Sequence, residues 1–476
     1  MTEEITADIC IVGAGSAGLS IAAGAAQMGA RTVLIEANRM GGDCLNTGCV
    51  PSKSLIAVAN VAQTVRSSHR FGITTGDMEI DGARVNRYVR SVIEKIAPHD
   101  SVERFTELGC RVISAHGEFV DGRSLQAGSF TVRARRFVLT TGSRPAIPPI
   151  PGLGNIPFLT NETIFETITI PTHLVIIGAG PIGCEMAQAH RRLGATVTLI
   201  DQDRLLGKED PESVHVVRDA FVAEGIECIE GVSVINIART DPGVAVTYAQ
   251  AGREHQVTGS HLLIATGRRA NVENLGLDKA GVRVGSQGIE VDSRLRTSNK
   301  RIYAAGDVIG GPQFTHVASY HAGIVLRNAL FRLAARNASK AIPRVTYTDP
   351  EIAHVGLDAA EARDTYGDDI RVVRANFSDN DRAQAEGTTA GFLKAIVGKR
   401  GRILGATIVG PHAGELILPW VLAISKGHKI GDMASLIAPY PTLSEVTKRA
   451  AGSYFTPQLF SERTKRLVRL LGAFGS

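Results

Sequence analysis

Two stretches of the chain share one pattern of apolar and polar positions. The segment "ADICIVGAGSAGLSIAAGAAQMGARTVLIEA" has an apolar strand, a glycine turn, an alanine-rich helical stretch and a second strand that ends at Glu36. The segment "HLVIIGAGPIGCEMAQAHRRLGATVTLIDQ" repeats this order, and its second strand ends at Asp201. Gly13 precedes Glu36 by 23 positions, and Gly178 precedes Asp201 by the same number. The repeat predicts one βαβ unit used twice, and therefore two nucleotide sites.

The remaining pattern predicts more strands and a change of architecture near Pro343. "LLIATGRRAN" and "RIYAAGDVIG" each look like a buried strand that runs into a glycine turn. "PRVTYTDPEIAHVG" alternates like an antiparallel strand, and "GELILPWVLAISKG" has helical periodicity. We therefore predict an α/β protein with two Rossmann-like dinucleotide-binding domains and a separate C-terminal α+β domain. The predicted segments are 1–150, 151–272, 273–342, which completes the first domain, and 343–476.

Composition narrows the functional classes. The 476 residues carry a net charge of +5, which is small for this length, and no basic run is interleaved with aromatics, so nucleic-acid binding is not expected. Six cysteines are too few for a disulfide scaffold, and "MTEEITADIC" is acidic where a signal peptide would be basic. No stretch approaches the roughly 18 uninterrupted apolar residues of a membrane span. We expect a cytoplasmic protein with no membrane span.

Both glycine turns have the GxGxxG spacing of dinucleotide-binding units. In such a turn the first glycine permits the tight bend, the second lets a pyrophosphate approach the backbone, and the third lets helix pack on strand. The phosphates then lie at the N-terminus of the helix, whose free N–H groups favour negative charge. The glycines expected to bind cofactor are Gly13, Gly15 and Gly18 in the first turn and Gly178, Gly180 and Gly183 in the second.

An acidic residue ends each unit, at the position where a carboxylate binds the ribose hydroxyls of a nucleotide. Glu36 is expected at the adenosine ribose of the first dinucleotide. Asp201 would bind the ribose diol of the second dinucleotide and repel a 2′-phosphate. No arginine stands at position 201 or at the next two positions. The sequence therefore favours NADH over NADPH at the second site.

A close pair of cysteines is the strongest chemical feature of the chain. Cys44 and Cys49 are five positions apart. On a regular helix their Cα atoms would be separated by about 7.5 Å along the axis, beyond the roughly 4.4–6.8 Å of a disulfide. Gly48 and Pro51 fit a loop that enters a helix at about Ser52, whose N-terminus would lower a thiol pKa. We predict a redox-active pair, with a zinc site or two ordinary buried thiols as alternatives; no further ligand pair is present, so no metal site is expected.

Taken together, these motifs make the chain resemble the flavoprotein disulfide reductases, the family of dihydrolipoamide dehydrogenase, glutathione reductase and mercuric reductase. The resemblance rests on "GGDCLNTGCVPSK", on both glycine motifs, on "TTGSRPAIPPIPGL", "IATGRRAN" and "RIYAAGDVIGGPQF", and on "YTDPEIAHVG" and "GPHAGELI". It implies FAD bound by segments 1–150 and 273–342, NAD bound by segment 151–272, and a homodimer formed through segment 343–476.

The resemblance also implies roles for individual residues. Cys49 would lie against the flavin, and Cys44 would be the interchange thiol that attacks the substrate. Lys53 and Glu185 would pair beside the flavin, where a cation stabilises the negative charge of the reduced ring. Asp307 would bind the ribityl chain of the flavin. The family motifs also contain two further glycines expected to bind cofactor, Gly142 and Gly267.

The chain departs from the family pattern near its end. Dihydrolipoamide dehydrogenase and glutathione reductase have HPTxxE, whereas this chain reads "YPTLSE", with Tyr440 in place of the histidine and Glu445 retained. A tyrosine with a pKa of about 10 is a poor proton acceptor at neutral pH, which argues against ordinary dihydrolipoamide turnover. Mercuric reductases have a similar tyrosine but end in a vicinal cysteine pair, and no cysteine follows Cys228 here. Asp43 stands where the family more often has threonine.

The resulting prediction is an FAD-dependent oxidoreductase that passes electrons between NADH, FAD and the Cys44–Cys49 pair, with a small-molecule or lipoyl-type disulfide or dithiol as substrate. The direction of electron flow is open. One alternative is a reductase of metal ions, quinones or oxygen, similar to mercuric reductase. Another is a redox sensor or assembly subunit in which the state of the cysteines switches a contact with a partner.

Overall fold

The computed structural model describes residues 3–338 and 340–473. Its strands are β1 (Glu3–Val12), β2 (Thr32–Glu36), β3 (Cys110–Ser114), β4 (Gly117–Asp121), β5 (Ser124–Ala127), β6 (Phe130–Leu139), β7 (Ser143–Pro145), β8 (His173–Ile177), β9 (Thr196–Ile200), β10 (Glu227–Ile229), β11 (Ser233–Thr240), β12 (Gly243–Gln250), β13 (Arg253–Gly259), β14 (His261–Ile264), β15 (Arg268–Ala270), β16 (Val284–Gly285), β17 (Gly288–Ile289), β18 (Ile302–Ala304), β19 (Pro343–Thr346), β20 (Glu351–Gly356), β21 (Arg371–Asn376), β22 (Phe392–Val397) and β23 (Ile403–Gly410). Its α-helices are α1 (Ser16–Gln27), α2 (Gly42–Asn46), α3 (Cys49–Arg66), α4 (Gly82–Ile96), α5 (Val102–Glu107), α6 (Pro181–Arg192), α7 (Pro211–Glu224), α8 (Thr315–Ala329), α9 (Ala359–Tyr366), α10 (Asp381–Glu386), α11 (Ala413–Leu416), α12 (Leu418–Lys426), α13 (Ile430–Ala434), α14 (Glu445–Ser453), α15 (Thr456–Leu459) and α16 (Glu462–Gly472).

The chain forms two compact units. Among the described residues, the first comprises 3–204 and 225–338, and the second comprises 205–224 and 340–473. Helix α7 therefore belongs to the second unit, although it follows the second βαβ motif in the sequence. The predicted division of the first unit into an FAD-binding and an NAD-binding domain stays a prediction.

The first βαβ motif lies at the centre of a seven-stranded sheet. Strands β3, β2, β1 and β6 run parallel in that order, β18 pairs with β6, and β5 and β4 extend the sheet in antiparallel pairing. Apolar clusters cover both faces of the sheet, which is why residues 9–12 of β1 and 33–35 of β2 are continuously apolar. One of these clusters contains buried residues of α1 and α8, and those two helices pack against each other.

The second βαβ motif has the same connectivity in a separate sheet. Strands β10, β9, β8 and β14 are parallel in that order, and α6 connects β8 to β9. A second sheet, of the antiparallel strands β11, β12 and β13, shares one apolar cluster with this parallel sheet. Helix α3 packs against α6, so the segment that begins at Cys49 lies beside the helix that follows the second glycine turn.

The second unit has the α+β architecture that the sequence predicts. Its five-stranded sheet has the order β19, β20, β23, β22, β21, and all its neighbouring strands are antiparallel. Helices α12 and α14 cover this sheet, and the fully buried Trp420 lies in the core cluster they share with it. The α/β fold class is therefore confirmed. Within residues 3–338 and 340–473, no helix combines the length and the apolar character that crossing a membrane requires.

Candidate active site

The two close cysteines lie on either side of a break between helices. Cys44 is in the short helix α2, which ends at Asn46, and Cys49 is the first residue of α3. Between them, Thr47 and Gly48 have non-helical backbone angles, with φ of −141° and −125°. The second helix begins at Cys49 rather than at about Ser52. The break allows the two thiols, both free, to come within hydrogen-bond contact.

The two thiols have opposite tendencies to ionise. A hydrogen bond from the Cys44 thiol, together with the Thr315 hydroxyl 3.4 Å away and the charge of Lys53, lowers the pKa of Cys49 to about 6. The same hydrogen bond and burial raise the pKa of Cys44 far above its usual value. In the reduced pair, Cys49 therefore holds the thiolate and Cys44 holds the proton. The N-terminus of a helix also favours a thiolate at the position of Cys49.

Lys53 and Glu185 form an ion pair in the same unit. Lys53 Nζ lies 2.7 Å from Glu185 Oε2, and the Glu185 side chain is only 6% exposed. Lys53 is one turn beyond Cys49 on α3, and Glu185 is on α6, so the packing of these two helices creates the pair. The lysine also places a positive charge near the thiols, and this charge contributes to lowering the pKa of Cys49.

The backbone of the first glycine turn suits a dinucleotide. A Cβ atom on Gly13 would collide with the carbonyl oxygen of Thr140, and one on Gly18 would collide with the carbonyl oxygen of Gly13. A Cβ on Gly15 would meet no atom closer than 4.0 Å. The outer glycines are therefore required by packing, whereas Gly15 leaves the open approach that a pyrophosphate needs. The turn fits FAD.

The second glycine turn repeats this arrangement. A Cβ on Gly178 would collide with the Ala265 carbonyl oxygen, one on Gly183 would collide with Gly178, and one on Gly180 would meet nothing within 4 Å. The turn fits a second dinucleotide, because the open position and the two crowded positions are those of the first turn. Gly142 and Gly267 lie outside the two turns, at positive φ of 71° and 129°, each three residues after the end of a strand, β6 and β14 respectively.

The acidic residues at the ends of the units contact the glycine turns. Glu36 accepts hydrogen bonds from the amide nitrogens of Ala14 at 2.6 Å and Asn38 at 2.7 Å. Asp201 accepts hydrogen bonds from the amide nitrogens of Ala179 at 2.5 Å and Asp203 at 2.8 Å. Both carboxylates are thus fixed beside their own turns, where the hydroxyls of a nucleotide ribose would bind.

A polar network that the sequence patterns did not predict connects the cysteine loop to Asp307. The Arg268 guanidinium donates to the hydroxyl and carbonyl oxygens of Ser143, and it lies 3.1 Å from Asp43 and 4.0 Å from Asp307. Ser143 also donates to Asp307 at 2.6 Å. Burial raises the pKa of Asp307 above its usual value. Together with Thr315, the residues Arg268, Ser143 and Asp43 are additions to the predicted site.

Tyr440 and Glu445 lie in the second unit and have different partners. The exposed Tyr440 hydroxyl donates to Asp381 Oδ2 at 3.0 Å, and this hydrogen bond raises the pKa of the phenol. Glu445, the first residue of α14, accepts from the amide of Thr442 at 3.5 Å. The raised pKa leaves even less of the phenol ionised at neutral pH and makes it a weaker acid, so this tyrosine is less suited to accept or donate a proton than an ordinary tyrosine.

The remaining cysteines do not form a metal site. Cys10, Cys110 and Cys184 are buried, and burial raises the pKa of each thiol. Such buried thiols pack as small apolar side chains. No group of three or more histidine, cysteine or acidic side chains in the described residues is arranged to hold a metal ion.

Comparisons with known proteins cover nearly the whole chain. A family model described as pyridine nucleotide-disulphide oxidoreductase matches residues 7–322, and the model of the dimerisation domain of that family matches residues 342–451. The mercuric reductase of Staphylococcus aureus is 32% identical over 447 residues, which are 93% of this chain and 82% of that protein. The dihydrolipoyl dehydrogenase of Geobacillus stearothermophilus is 33% identical over 456 residues, 94% of this chain and 96% of that protein. The solved structure of the HOCl-induced flavoprotein disulfide reductase RclA from Escherichia coli superposes with a TM-score of 0.84 at 27% identity, and the match covers 94% of this chain and 99% of that one.

Proposed function

The chain belongs to the pyridine nucleotide-disulphide oxidoreductase family, and from this premise we propose that it passes electrons from NADH through FAD to the Cys44–Cys49 pair and on to a disulfide. The observation that carries the proposal is the pair of thiols on either side of the break between α2 and α3, one of which favours the thiolate at neutral pH. A low-pKa thiol beside a second, protonated thiol is the arrangement of a disulfide-exchange site.

The cofactors are assigned to the two glycine turns. FAD would be held by the first turn, with Glu36 at the adenosine ribose and Asp307 at the ribityl chain. When bound, it would take up a hydride from the nicotinamide and release two electrons to a disulfide. NADH would be held by the second turn, because the Asp201 carboxylate favours a ribose diol over a 2′-phosphate.

Residues of the chain then stabilise the thiolate charge and bind the proton. Opening of the Cys44–Cys49 disulfide consumes two electrons and one proton, which goes to Cys44 Sγ, while Thr315 and Lys53 stabilise the thiolate on Cys49. In the second half of the cycle, the Cys44 proton passes to solvent and Cys44 Sγ attacks the acceptor disulfide; the acceptor S–S bond breaks, one acceptor sulfur leaves as a thiolate, and the other forms a mixed disulfide with Cys44. The Cys49 thiolate then displaces the remaining acceptor sulfur and restores the internal disulfide.

The acceptor is proposed to be a disulfide whose leaving thiol needs little help from an acid. In the family pattern a histidine supplies that proton, and Tyr440 stands in its place. The exposed Tyr440 phenol, with its raised pKa, is not suited to repeated proton transfer. The dimerisation region suggests a homodimer, and we assign Tyr440 and Glu445 to its structure rather than to proton transfer.

A second candidate function is the reduction of a metal ion at the same thiol pair. It is favoured by the mercuric reductase of Streptomyces lividans, which is 34% identical over 94% of this chain and 96% of that protein. Two thiols in contact can bind a soft metal ion. Metal-dependent NADH oxidation that exceeds every disulfide-dependent rate would favour this candidate.

The proposed function is tested by anaerobic NADH oxidation with two disulfides of different leaving ability. An aromatic disulfide, dithiobis-nitrobenzoate, releases a thiolate of low pKa, whereas lipoamide releases an ordinary alkyl thiol. We expect turnover of the aromatic disulfide to exceed lipoamide turnover by about 10²-fold or more, the typical value of a missing acid–base group. NADPH should be at least about tenfold less effective than NADH.

A blank without acceptor and a Tyr440→Phe variant are the controls for this comparison. The variant should keep the rates with both disulfides within about twofold, because the phenol is not assigned a proton. Equal rates with lipoamide and the aromatic disulfide, or a large loss in Tyr440→Phe, would contradict the assignment of Tyr440. Absence of turnover with both disulfides would contradict the proposed function.

A further inference from the structure

A carboxylate is fixed directly beside the cysteine pair. Asp43 precedes Cys44, and its Oδ1 accepts hydrogen bonds from the Thr47 hydroxyl at 2.7 Å and the Asn161 amide at 3.2 Å. Its Oδ2 lies 3.1 Å from the guanidinium of Arg268. Three contacts from three parts of the chain therefore hold this side chain in one position, although it is 38% exposed.

The Asp43 carboxylate lies against Gly48, the residue directly before Cys49. A Cβ atom on Gly48 would lie 3.0 Å from Asp43 Oδ2, so the carboxylate packs directly against the backbone that enters Cys49. Arg268, which is only 11% exposed, neutralises this charge incompletely because it also faces Asp307 at 4.0 Å. Lys53 on α3 is the opposite charge that acts on the same thiolate.

We propose that Asp43 is a positioning residue whose negative charge shifts the Cys44–Cys49 equilibrium toward the disulfide. Reduction of the pair takes two electrons from a reductant and leaves one proton on Cys44 and a negative charge on Cys49. A neighbouring carboxylate disfavours that charge. The proposal rests on the proposed function, since it concerns the same pair.

The thiol equilibrium of Asp43→Asn measures this effect directly. The FAD-loaded variant is equilibrated anaerobically in mixtures of reduced and oxidised dithiothreitol, its free thiols are alkylated, and the products are counted by mass spectrometry. We expect the equilibrium constant for reduction to rise about two- to fivefold, because a partly exposed, paired charge at this distance is strongly screened. The apparent pKa of the first thiol to be alkylated should fall in parallel.

Thr47→Val is the matched control, because it removes a hydrogen bond to Asp43 and leaves the charge in place. It should have the equilibrium of the unmodified protein. An unchanged equilibrium in Asp43→Asn, or an equal shift in Thr47→Val, would overturn the proposal. Asp43→Thr gives a second variant if the asparagine protein does not fold. The measurement uses neither nicotinamide nor acceptor, so its result can be interpreted even if the proposed electron transfer from NADH to a disulfide is wrong.

A second inference concerns the C-terminal helix α16 and the residues just before it. None of the residues of α16 is buried, and its four large apolar side chains are 52–63% exposed. Phe460, directly upstream, is 70% exposed. The helix is formed nevertheless, because the Ser461 side chain caps it by accepting from the Thr464 amide at 3.2 Å.

Most side chains of this helix separate into an apolar and a basic side. Leu467 and Leu471 are one turn apart, Val468 and Leu470 flank them, and Arg463 is the one basic residue that lies among them. The helix also has four basic residues and one acidic residue: Arg463, Lys465, Arg466, Arg469 and Glu462. It is 11 residues long, which is too short to span a bilayer. Its combination of basic and large apolar side chains is typical of helices that lie in the membrane interface.

The geometry points to an anionic lipid surface as the partner of this amphipathic helix. The positive charges complement acidic lipid headgroups, and the apolar side chains would enter the acyl boundary. The helix also begins beyond residue 451, where the match to the dimerisation region ends.

Flotation with lipid vesicles tests this inference. The full chain should float with vesicles of phosphatidylcholine and phosphatidylglycerol, and should not float with phosphatidylcholine alone or at high salt. Leu467→Gln with Leu471→Gln, or Arg463→Gln with Arg466→Gln, should each reduce binding about tenfold or more. Val61→Gln with Val222→Gln is the matched control, because both residues are exposed apolar positions on other helices.

Two results would overturn the inference. One is equal binding by the tail variants and the control variant, or no binding to acidic vesicles. The other is dissociation of a dimer in the tail variants, measured by size-exclusion chromatography with light scattering, which would assign the helix to a contact between copies.

Discussion

Cys44→Ser is expected to lower turnover of every disulfide acceptor by more than about 10³-fold, the scale on which loss of a nucleophile acts. The reason is that Cys44 is assigned the attack on the acceptor, and a serine hydroxyl cannot form a mixed disulfide. NADH should still reduce the bound flavin at nearly the rate of the unmodified protein, because hydride transfer does not use this thiol. The measurement is steady-state turnover of the aromatic disulfide beside stopped-flow reduction of the flavin.

Cys228→Ser is the matched control for Cys44→Ser. Cys228 is a half-buried cysteine on β10, and its replacement should leave both rates unchanged. Disulfide turnover that survives in Cys44→Ser would contradict the role assigned to this thiol. If quinone or metal-ion reduction persists in a variant with both Cys44 and Cys49 replaced, the chain is a flavin reductase in which the thiols are secondary.

Lys53→Met is expected to slow reduction of the flavin by NADH about 10²- to 10³-fold, which is the usual effect of removing a preorganised charge from a reacting centre. The lysine is 2.7 Å from the buried Glu185 carboxylate. Its loss removes the positive charge assigned to the reduced ring, and it also removes one charged partner of a buried acid, which destabilises the fold. Lys53→Arg keeps the charge and should recover most of the rate.

The matched control for Lys53→Met is Lys279→Met. Lys279 also lies 2.7 Å from a glutamate, Glu118, but this pair is on the surface. Its loss should change neither flavin reduction nor the free energy of unfolding, because solvent screens an exposed ion pair. The two predictions separate the halves of the cycle: Lys53→Met should slow entry of electrons, and Cys44→Ser should block their exit. Equal flavin reduction in Lys53→Met and the unmodified protein would contradict the role of the lysine.

Local patterns were sufficient to predict the βαβ units. Each needs an apolar run, a glycine turn and an amphipathic helix that are adjacent in the sequence, so periodicity and spacing indicate them directly. The redox pair was also visible, because both cysteines and Gly48 lie within six residues. The start of α3 was placed three residues too late, because Pro51 was taken as the first-turn residue and Cys49 itself occupies that turn.

Contacts between distant parts of the chain could not be predicted from local patterns. Thr315 is 266 positions from Cys49, and Glu185 is 132 positions from Lys53. The contact between Lys53 and Glu185 was expected only through the family resemblance. The Asp43–Arg268 contact was missed, since an arginine after a glycine turn has no spacing signal that connects it to a particular carboxylate. The same holds for Asp381, the partner of the Tyr440 hydroxyl.

The central claim is that electrons from NADH reach the Cys44–Cys49 disulfide, and trapping of thiols tests it most directly. The oxidised, FAD-loaded protein is mixed anaerobically with NADH, quenched with an alkylating agent, and digested for mass spectrometry. We expect Cys44 and Cys49 to be linked by a disulfide before NADH is added and to be both alkylated afterwards, while the other cysteines do not change. Reduction of the flavin by NADH while the Cys44–Cys49 disulfide stays intact would contradict the central claim.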